Sequence, residues 1–340
     1  NYAYVAAGDS GLLVVDLTDP ANPKELGQLD TDGYAYEIAV KGSIAYIADA
    51  WEGIATVDIT HPEAPVLIGS TPSNGWALSI AISGTLLCSG NGGMGAQVFD
   101  ISDPKFPKAT GVFSFGGASR KVAASGKFFY VADTLKGLRM IDASNPAELT
   151  QSGIFGILPY ARRATLKGDY LYVASGADGA MYVINVADPT HPYQTSKFQA
   201  DGNASDVPIS GNTAFLTTFM DSTNYLVAID ISDPNNVKEA SVIPLGSLTP
   251  MFAAAREAVI QDNTLFVADE FGLRIFDINN PAKIVQPGQI ELMVNGVVTD
   301  GVVVSGNYAY VTAGSGGVHI VDISDLSNPR KVQTFNQVAG

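Results

Sequence analysis

The chain has 340 residues, of which 34 are acidic and 19 are lysine or arginine, so its formal net charge is −15. This acidity disfavours partners such as nucleic acids and anionic membrane surfaces, and no apolar run reaches the ~18 residues needed to span a bilayer. A lone cysteine, Cys88, excludes an internal disulfide and any CxxC metal or redox motif.

One short phrase returns eight times along the chain. It first appears as VVDLTDPANP at residues 14–23 and last as IVDISDLSNP at residues 320–329. A fixed period in the forties is typical of repeat architectures. The residue that ends the apolar run of each copy is Asp16, Asp58, Asp100, Asp142, Asn185, Asp230, Asp277 or Asp322.

Each period predicts four short strands, and the first two are joined by a turn such as Lys41-Gly42. Turns this tight connect antiparallel neighbours, and four antiparallel strands repeated at this period predict a propeller blade. We therefore predict an all-β fold: a β-propeller of eight four-stranded antiparallel blades in a single domain spanning residues 1–340. The first blade lacks its inner strand in this chain, and we expect that strand just before Asn1 or in the short tail after Phe335.

The recurring phrase has a structural interpretation. Its apolar residues form the third strand, buried between neighbouring blades. The Asp side chain then accepts a hydrogen bond from the backbone N–H two residues further on, as in an Asx-turn. Proline fixes the corner where no strand donor is needed. The phrase therefore predicts a corner into the outer strand rather than a catalytic motif.

The same residues carry a family resemblance. The segments LLVVDLTDPANP, GLRMIDASNP, GLRIFDINNP and GVHIVDISDLSNP, with the preceding AYVAAG, FYVADTLKG and LFVADEFG, resemble the LVIVD-repeat proteins. The resemblance covers nearly the whole chain. It implies a propeller that is usually extracellular or on the cell surface, often within longer multidomain proteins, and mostly without an assigned activity.

Charged residues are predicted at the mouth of the central channel, where the first strand of each blade begins. Like charges held close together repel, so a basic cluster there must be neutralised by acids or bind an anion. The acids Asp49, Asp133 and Asp269 are expected on the same face and could provide that neutralisation. The candidate ligand-binding residues are Arg120, Lys121, Arg162, Arg163 and Arg256, and the candidate metal ligands are Asp206, Glu257 and Asp300.

These residues favour a binding protein over an enzyme. The three histidines lie in different repeats, which argues against a zinc site or a catalytic triad. We expect a non-catalytic extracellular or cell-surface propeller that acts as an interaction module or structural scaffold with a protein partner or larger surface assembly. The alternatives are a channel-mouth enzyme of lactonase, hydrolase or lyase type and a binder of a small carboxylate ligand. No cofactor is expected, although the residues leave calcium open.

Overall fold

The computed structural model describes residues 2–19, 22–117, 119–133, 135, 137–156, 158, 160–220, 223–246, 257–293, 299, 301–313 and 316–335. At Arg120, Met220 and Gly246 the description is limited to the backbone. The described residues form 32 β-strands in eight separate sheets. Within these ranges no helix is long and apolar enough to cross a membrane.

Each sheet is one blade, built from strands that follow one another in the chain. The strands are β1 (Tyr2–Ala6), β2 (Leu12–Asp16) and β3 (Lys24–Leu29) in blade 1; β4 (Glu37–Lys41), β5 (Ile44–Ala48), β6 (Ile54–Asp58) and β7 (Val66–Thr71) in blade 2; β8 (Ser79–Ser83), β9 (Leu86–Gly90), β10 (Ala96–Asp100) and β11 (Lys108–Phe113) in blade 3; β12 (Ser119–Ser125), β13 (Phe128–Asp133), β14 (Gly137–Asp142) and β15 (Thr150–Phe155) in blade 4. They continue as β16 (Ala161–Lys167), β17 (Tyr170–Ser175), β18 (Ala180–Asn185) and β19 (Tyr193–Gln199) in blade 5; β20 (Asn203–Asp206), β21 (Ile209–Ser210), β22 (Thr213–Met220), β23 (Thr223–Asp230) and β24 (Lys238–Gly246) in blade 6; β25 (Glu257–Gln261), β26 (Thr264–Asp269), β27 (Gly272–Asp277) and β28 (Val285–Glu291) in blade 7; and β29 (Gly301–Ser305), β30 (Tyr308–Thr312), β31 (Val318–Asp322) and β32 (Arg330–Phe335) in blade 8.

The predicted eight-bladed, all-β propeller is confirmed. Every described strand pair is antiparallel, and blade 1 has three strands, its innermost one being β1. In blade 6 the inner strand is split into β20 and β21, both paired with β22. Pro208 lies in the gap between them, where a residue without an N–H cannot continue the ladder.

The hydrophobic core is divided into eight clusters, one between each pair of neighbouring blades. Successive strand residues point to opposite faces, so each middle strand contributes to two clusters. In β2, for example, Leu12 packs towards blade 2 and Leu13 packs towards blade 8. The cluster that contains Leu13, Ile320 and Phe335 joins blade 8 to blade 1 and closes the ring.

The corner prediction is also confirmed. In all eight blades the residue that ends the strand next to the outermost one accepts a hydrogen bond from the backbone N–H two residues further on, at 2.8–2.9 Å. In blade 5 the acceptor is Asn185, whose amide oxygen replaces the carboxylate. Hydrogen bonds from Ser324 hold the pKa of Asp322 below its usual value. These corners lie on one face of the propeller, and the inner strands begin on the other, which we call the mouth face.

Candidate channel-mouth site

Five charged side chains meet where the inner strands begin. They are Glu37 of β4, Lys121 of β12, Arg163 of β16, Asp206 of β20 and Glu257 of β25. Each blade presents its inner strand in the same register, so residues at equivalent positions of different blades converge on the channel. The sequence prediction that these positions lie together is therefore supported by direct contacts between blades 2, 4, 5, 6 and 7.

Arg163 is the centre of the first group of contacts. Its Nη1 lies 2.7 Å from Oε1 of Glu257 and 3.8 Å from Oδ2 of Asp206. Burial opposes the charge of Arg163, but the carboxylates of Asp206 and Glu257 outweigh that effect and raise its pKa. One arginine therefore joins three blades through two carboxyl groups.

Asp206 is the most buried acid of this group, with 5% of its surface exposed. Burial raises its pKa, although Arg163 and two backbone N–H groups act in the opposite direction. The N–H of Val207 donates to Oδ1 at 2.8 Å, and the N–H of Ala258 donates to Oδ2 at 3.0 Å. Asp206 therefore links blade 6 to blade 7 through the Ala258 N–H and to blade 5 through the charge of Arg163.

A second ion pair crosses the channel from blade 4 to blade 2. Lys121 Nζ donates to Oε1 of Glu37, and the N–H of Ile80 donates to Oε2 at 3.1 Å. Both oxygens of Glu37 are thus occupied. Within the described residues, the two cations that face the channel, Lys121 and Arg163, each contact a carboxylate.

A cavity of about 670 Å³ opens beside these ion pairs. Its lining includes Glu37, Lys121, Arg163 and Glu257 together with residues of β1 and of the inner strand of blade 8. The space is large enough for a small ligand or a segment of extended chain.

One of the basic residues predicted here, Arg162, behaves differently from Lys121 and Arg163. Arg162 packs against Gly176 and lies 6.0 Å from the centre of the Tyr160 ring. The register of β16 shifts at this point: Ala161 pairs with Ser175 and Arg163 with Ala174, so Arg162 is the extra residue of a β-bulge. Arg256 and Asp300 lie outside the described residues, and so does the side chain of Arg120.

Two of the three acids expected to neutralise this cluster have arginine partners within their own blades. Asp133 and Asp269 pair with arginines of the third strand in their own blades, Arg139 at 3.0 Å and Arg274 at 2.6 Å between Nε and Oδ2. All four side chains are at most 10% exposed. These are structural pairs inside single blades.

The predicted metal ligands Asp206 and Glu257 lie close together, but Arg163 stands between them. Within the ranges that the structure describes, no group of three or more His, Cys, Asp or Glu side chains is placed to hold a metal ion. Calcium binding at Asp206, Glu257 and Asp300 stays a prediction.

Sequence reasoning missed an exposed apolar surface on the mouth face. Its members lie on loops of blades 2 to 5 that follow second strands or precede inner strands. We call this surface the apolar arc; it consists of Tyr36, Trp51, Trp76, Met94, Leu135 and Tyr160, which are 44–65% exposed. The signal in the sequence was present, since these residues replace the polar or glycine residues that loops usually carry.

Two local arrangements hold the arc's aromatic rings in place. Backbone hydrogen bonds join Ala50 to Ala77, at 3.2 and 2.9 Å, and this places Trp51 beside Trp76. The two indole rings meet edge to face with centroids 6.2 Å apart. Tyr36 packs against Tyr34 with centroids 4.8 Å apart.

The closed ring of four-stranded sheets, with its charged channel mouth, defines a β-propeller built from sequence repeats. The chain belongs to the LVIVD repeat family, whose model matches residues 1–31, 32–72, 116–156, 160–199, 201–242, 254–290 and 298–337. The resemblance drawn from the sequence is thus confirmed. Blade 3 lies between the second and third matches, although its strands and corner follow the same plan.

Solved structures share the fold at low sequence identity. Sqt1 from Saccharomyces cerevisiae aligns with a TM-score of 0.74 and 9% identity over 89% of this chain and 86% of its own. BamB from Moraxella catarrhalis gives 0.67 and 13% over 96% and 94%. A candidate 6-phosphogluconolactonase from Bacteroides fragilis gives 0.65 and 13% over 83% and 92%. Curated proteins give no match.

Proposed function

We propose that the protein is a non-catalytic interaction module of an extracellular or cell-surface assembly, which binds a protein partner through its mouth face. The apolar arc is the observation that carries this proposal. Trp51 and Trp76, the only two tryptophans of the chain, are 53% and 58% exposed on it. Exposed tryptophan and tyrosine are the residues most enriched among those that dominate protein–protein binding.

The charges of the channel mouth also favour a module without chemistry. Catalysis by a pair of carboxyl groups requires that at least one of them be free to exchange a proton with substrate. Glu37 and Asp206 instead accept hydrogen bonds from backbone N–H groups of neighbouring blades. These contacts tie blades together, which is what a rigid platform needs. The extracellular or cell-surface location rests on the family resemblance.

The test compares two double variants. Trp51→Ser with Trp76→Ser removes the centre of the arc, while Phe106→Ser with Tyr193→Ser removes two residues of the opposite side that are 68% and 57% exposed. Cross-linking in an extract of the source organism identifies a partner, and calorimetry with the purified partner measures Kd. We expect the first variant to weaken binding at least about 30-fold, the effect of losing one dominant contact of about 2 kcal/mol.

The control variant should bind like the wild type. Equal losses in the two variants would indicate a general effect of lowered surface hydrophobicity. Unchanged binding by the Trp51/Trp76 variant would refute the mouth face as the docking surface.

A second candidate function is binding or hydrolysis of a small carboxylate ligand at the channel mouth, with calcium as a potential cofactor. The cavity beside Lys121 and Arg163 is the observation that favours it. Titration of citrate and gluconate by calorimetry, with calcium or with EDTA, tests this alternative. It requires saturable binding that Lys121→Met abolishes; heats that do not differ between wild type and variant would exclude it.

A further inference from the structure

Acidic residues surround the end of the apolar arc that lies in blades 2 and 3. The mouth-face loops on this side are residues 7–11, 30–36, 49–53, 72–78 and 91–95. Apart from the buried Asp49, the acids of these loops are Asp9, Asp30, Asp32 and Glu52, and the loops contain no lysine, arginine or histidine. The first three of these acids are exposed, and Glu52 is partly exposed. Negative charge therefore accompanies the aromatic surface at this end.

Two of these acids adjoin the loop that carries Trp51. Burial raises the pKa of Asp49, and the nearby charges of Glu52 and Asp30 raise it further. Asp49 directly precedes Ala50-Trp51, and its carbonyl oxygen accepts a hydrogen bond from the Glu52 N–H at 3.0 Å. The charges of Asp30 and Glu52 are therefore close to Trp51 as well.

The aromatic rings at the two ends of the arc have different surroundings. At the blade 5 end, Arg162 lies 6.0 Å from the centre of the Tyr160 ring. Within the part of the chain that the structure describes, no lysine or arginine lies over Tyr36, Trp51 or Trp76. Tryptophan is the aromatic side chain that attracts cations most strongly. The tryptophan pair is therefore suited to a cation supplied by another molecule.

The geometry of the tryptophan pair leaves ring faces open. The indole planes of Trp51 and Trp76 are inclined at 68°, so the edge of one ring meets the face of the other. The ring that contributes its edge keeps both of its own faces clear of its partner. Each of the two residues is also more than half exposed, so a planar group can reach these faces from solvent.

Open indole faces beside carboxylates favour an arginine side chain. A guanidinium is planar and weakly hydrated, so it can stack on an indole while its N–H groups donate to a carboxylate. A lysine ammonium is more strongly hydrated and has no planar face to stack. The net charge of −15 also attracts a basic segment over a longer range.

We propose that this end of the apolar arc binds a basic, arginine-containing segment of the protein partner, with a guanidinium stacked on the Trp51–Trp76 pair and held by the carboxylates of Asp30 and Glu52. The inference rests on the proposed function, because it names the chemistry of the partner that the mouth face binds. The rings supply the stacking surface and the acids supply the charge, so loss of either should weaken binding.

The probe is the peptide acetyl-GRGRGRG-amide, and its two controls carry lysine or glutamine in place of arginine. Fluorescence anisotropy of labelled peptides gives Kd in about 50 mM NaCl. Tryptophan emission with unlabelled peptide reports the place of binding, because Trp51 and Trp76 are the only tryptophans of the chain. We expect saturable binding of the arginine peptide with a change in that emission, and Kd at least about fivefold weaker for the lysine peptide. The glutamine peptide should not bind, and about 500 mM NaCl should weaken binding of the arginine peptide.

Two matched double variants separate the site from the general charge of the protein. Asp30→Asn with Glu52→Gln removes the two carboxylates proposed to hold the guanidinium. Glu63→Gln with Glu148→Gln removes two exposed carboxylates near the corners, with the same change in net charge. The first variant should bind the arginine peptide at least about fivefold more weakly, and the second should bind it like the wild type. Both variants should fold, since the substitutions keep the shapes of the side chains, and circular dichroism checks this.

Several results would overturn the proposal. These are absence of binding, equal affinity for the arginine and lysine peptides, equal weakening by the two double variants, and binding without a change in tryptophan emission. With the purified partner, weaker binding by Trp51→Ser/Trp76→Ser but not by Asp30→Asn/Glu52→Gln would leave the mouth face as the docking surface and refute the arginine assignment. Unchanged binding by both variants would refute the proposed function as well.

Discussion

Asp49→Asn is expected to stabilise the protein above pH 6. Asp49 directly follows the second strand of blade 2 and is fully buried. Its Oδ1 accepts a hydrogen bond from the Thr31 hydroxyl at 2.8 Å, but no ion pair to it occurs within the described residues. Register explains why: Ala55 pairs with Ile47. Arg139 pairs with Val131 and Arg274 with Val267 at the equivalent position of their blades, from which each reaches an aspartate two residues further along the second strand.

The magnitude follows from the shift in proton affinity. Burial raises the pKa of Asp49 from 3.8 to about 6, even though Thr31 and Gly33 donate hydrogen bonds to it. The folded state thus binds the proton more tightly than the unfolded state. The contribution of Asp49 to the free energy of unfolding is highest below pH 4, falls as the pH rises towards 6 and is then constant. The loss is about 3 kcal/mol at 1.36 kcal/mol per pKa unit.

Asparagine keeps the shape and the Thr31 contact without the charge. Urea titrations at pH 4 and pH 7.5 should show similar stabilities for the variant, whereas the wild type should lose about 3 kcal/mol between them. The NMR carboxyl signal of Asp49 should titrate near pH 6. Asp133→Asn is the matched control, since it leaves Arg139 unpaired and should destabilise the protein at pH 7.5. The reasoning fails if both variants lose stability to the same extent at pH 7.5.

Two further predictions concern the channel and the corners. Arg163→Met should cost about 3 kcal/mol of unfolding free energy at pH 7, because it leaves the buried Asp206 without its cation. In a double-mutant cycle, adding Asp206→Asn should recover more than half of this lost free energy. Strictly additive losses would contradict the coupling between the two residues. Asp322→Ala should lower the free energy of unfolding by about 1 kcal/mol, because the corner hydrogen bond is lost. Asp322→Asn should retain that hydrogen bond, as Asn185 does in blade 5. Equal calorimetric Tm values for the two variants would argue against a stabilising role of the corner.

The architecture was predictable because the sequence consists of repeats. Eight copies of one phrase specify the strand order, the corner and the number of blades. Each copy also places a short apolar strand before a residue that can accept an N–H bond. These are local properties of the chain, and every one of the eight corners follows them.

Partner choice at the mouth face was less predictable. Asp133 and Asp269 pair with Arg139 and Arg274 of the third strands in their own blades, which sequence reasoning did not foresee. That they also neutralise arginines at strand starts stays a prediction, because the side chains of Arg120 and Arg256 lie outside the described residues. Which of two adjacent basic residues enters the channel depends on a register shift in β16, which separates Arg163 from Arg162 and is not visible in the sequence. An alignment of the third strand of each blade with its second strand would have revealed Arg139 and Arg274 as partners of Asp133 and Asp269. The same alignment would have shown that blade 2 has no arginine at this position to pair with Asp49.

The separation of corners from mouth-face loops has a consequence for how the protein can evolve. A corner uses its own aspartate or asparagine and a backbone N–H two residues away, so it draws nothing from the opposite face. Loops at the channel mouth can therefore be lengthened, shortened or replaced while every blade keeps the bonds that turn it. A duplicated blade therefore keeps the hydrogen bonds of its corner, and a new binding specificity can arise from substitutions in the mouth-face loops alone.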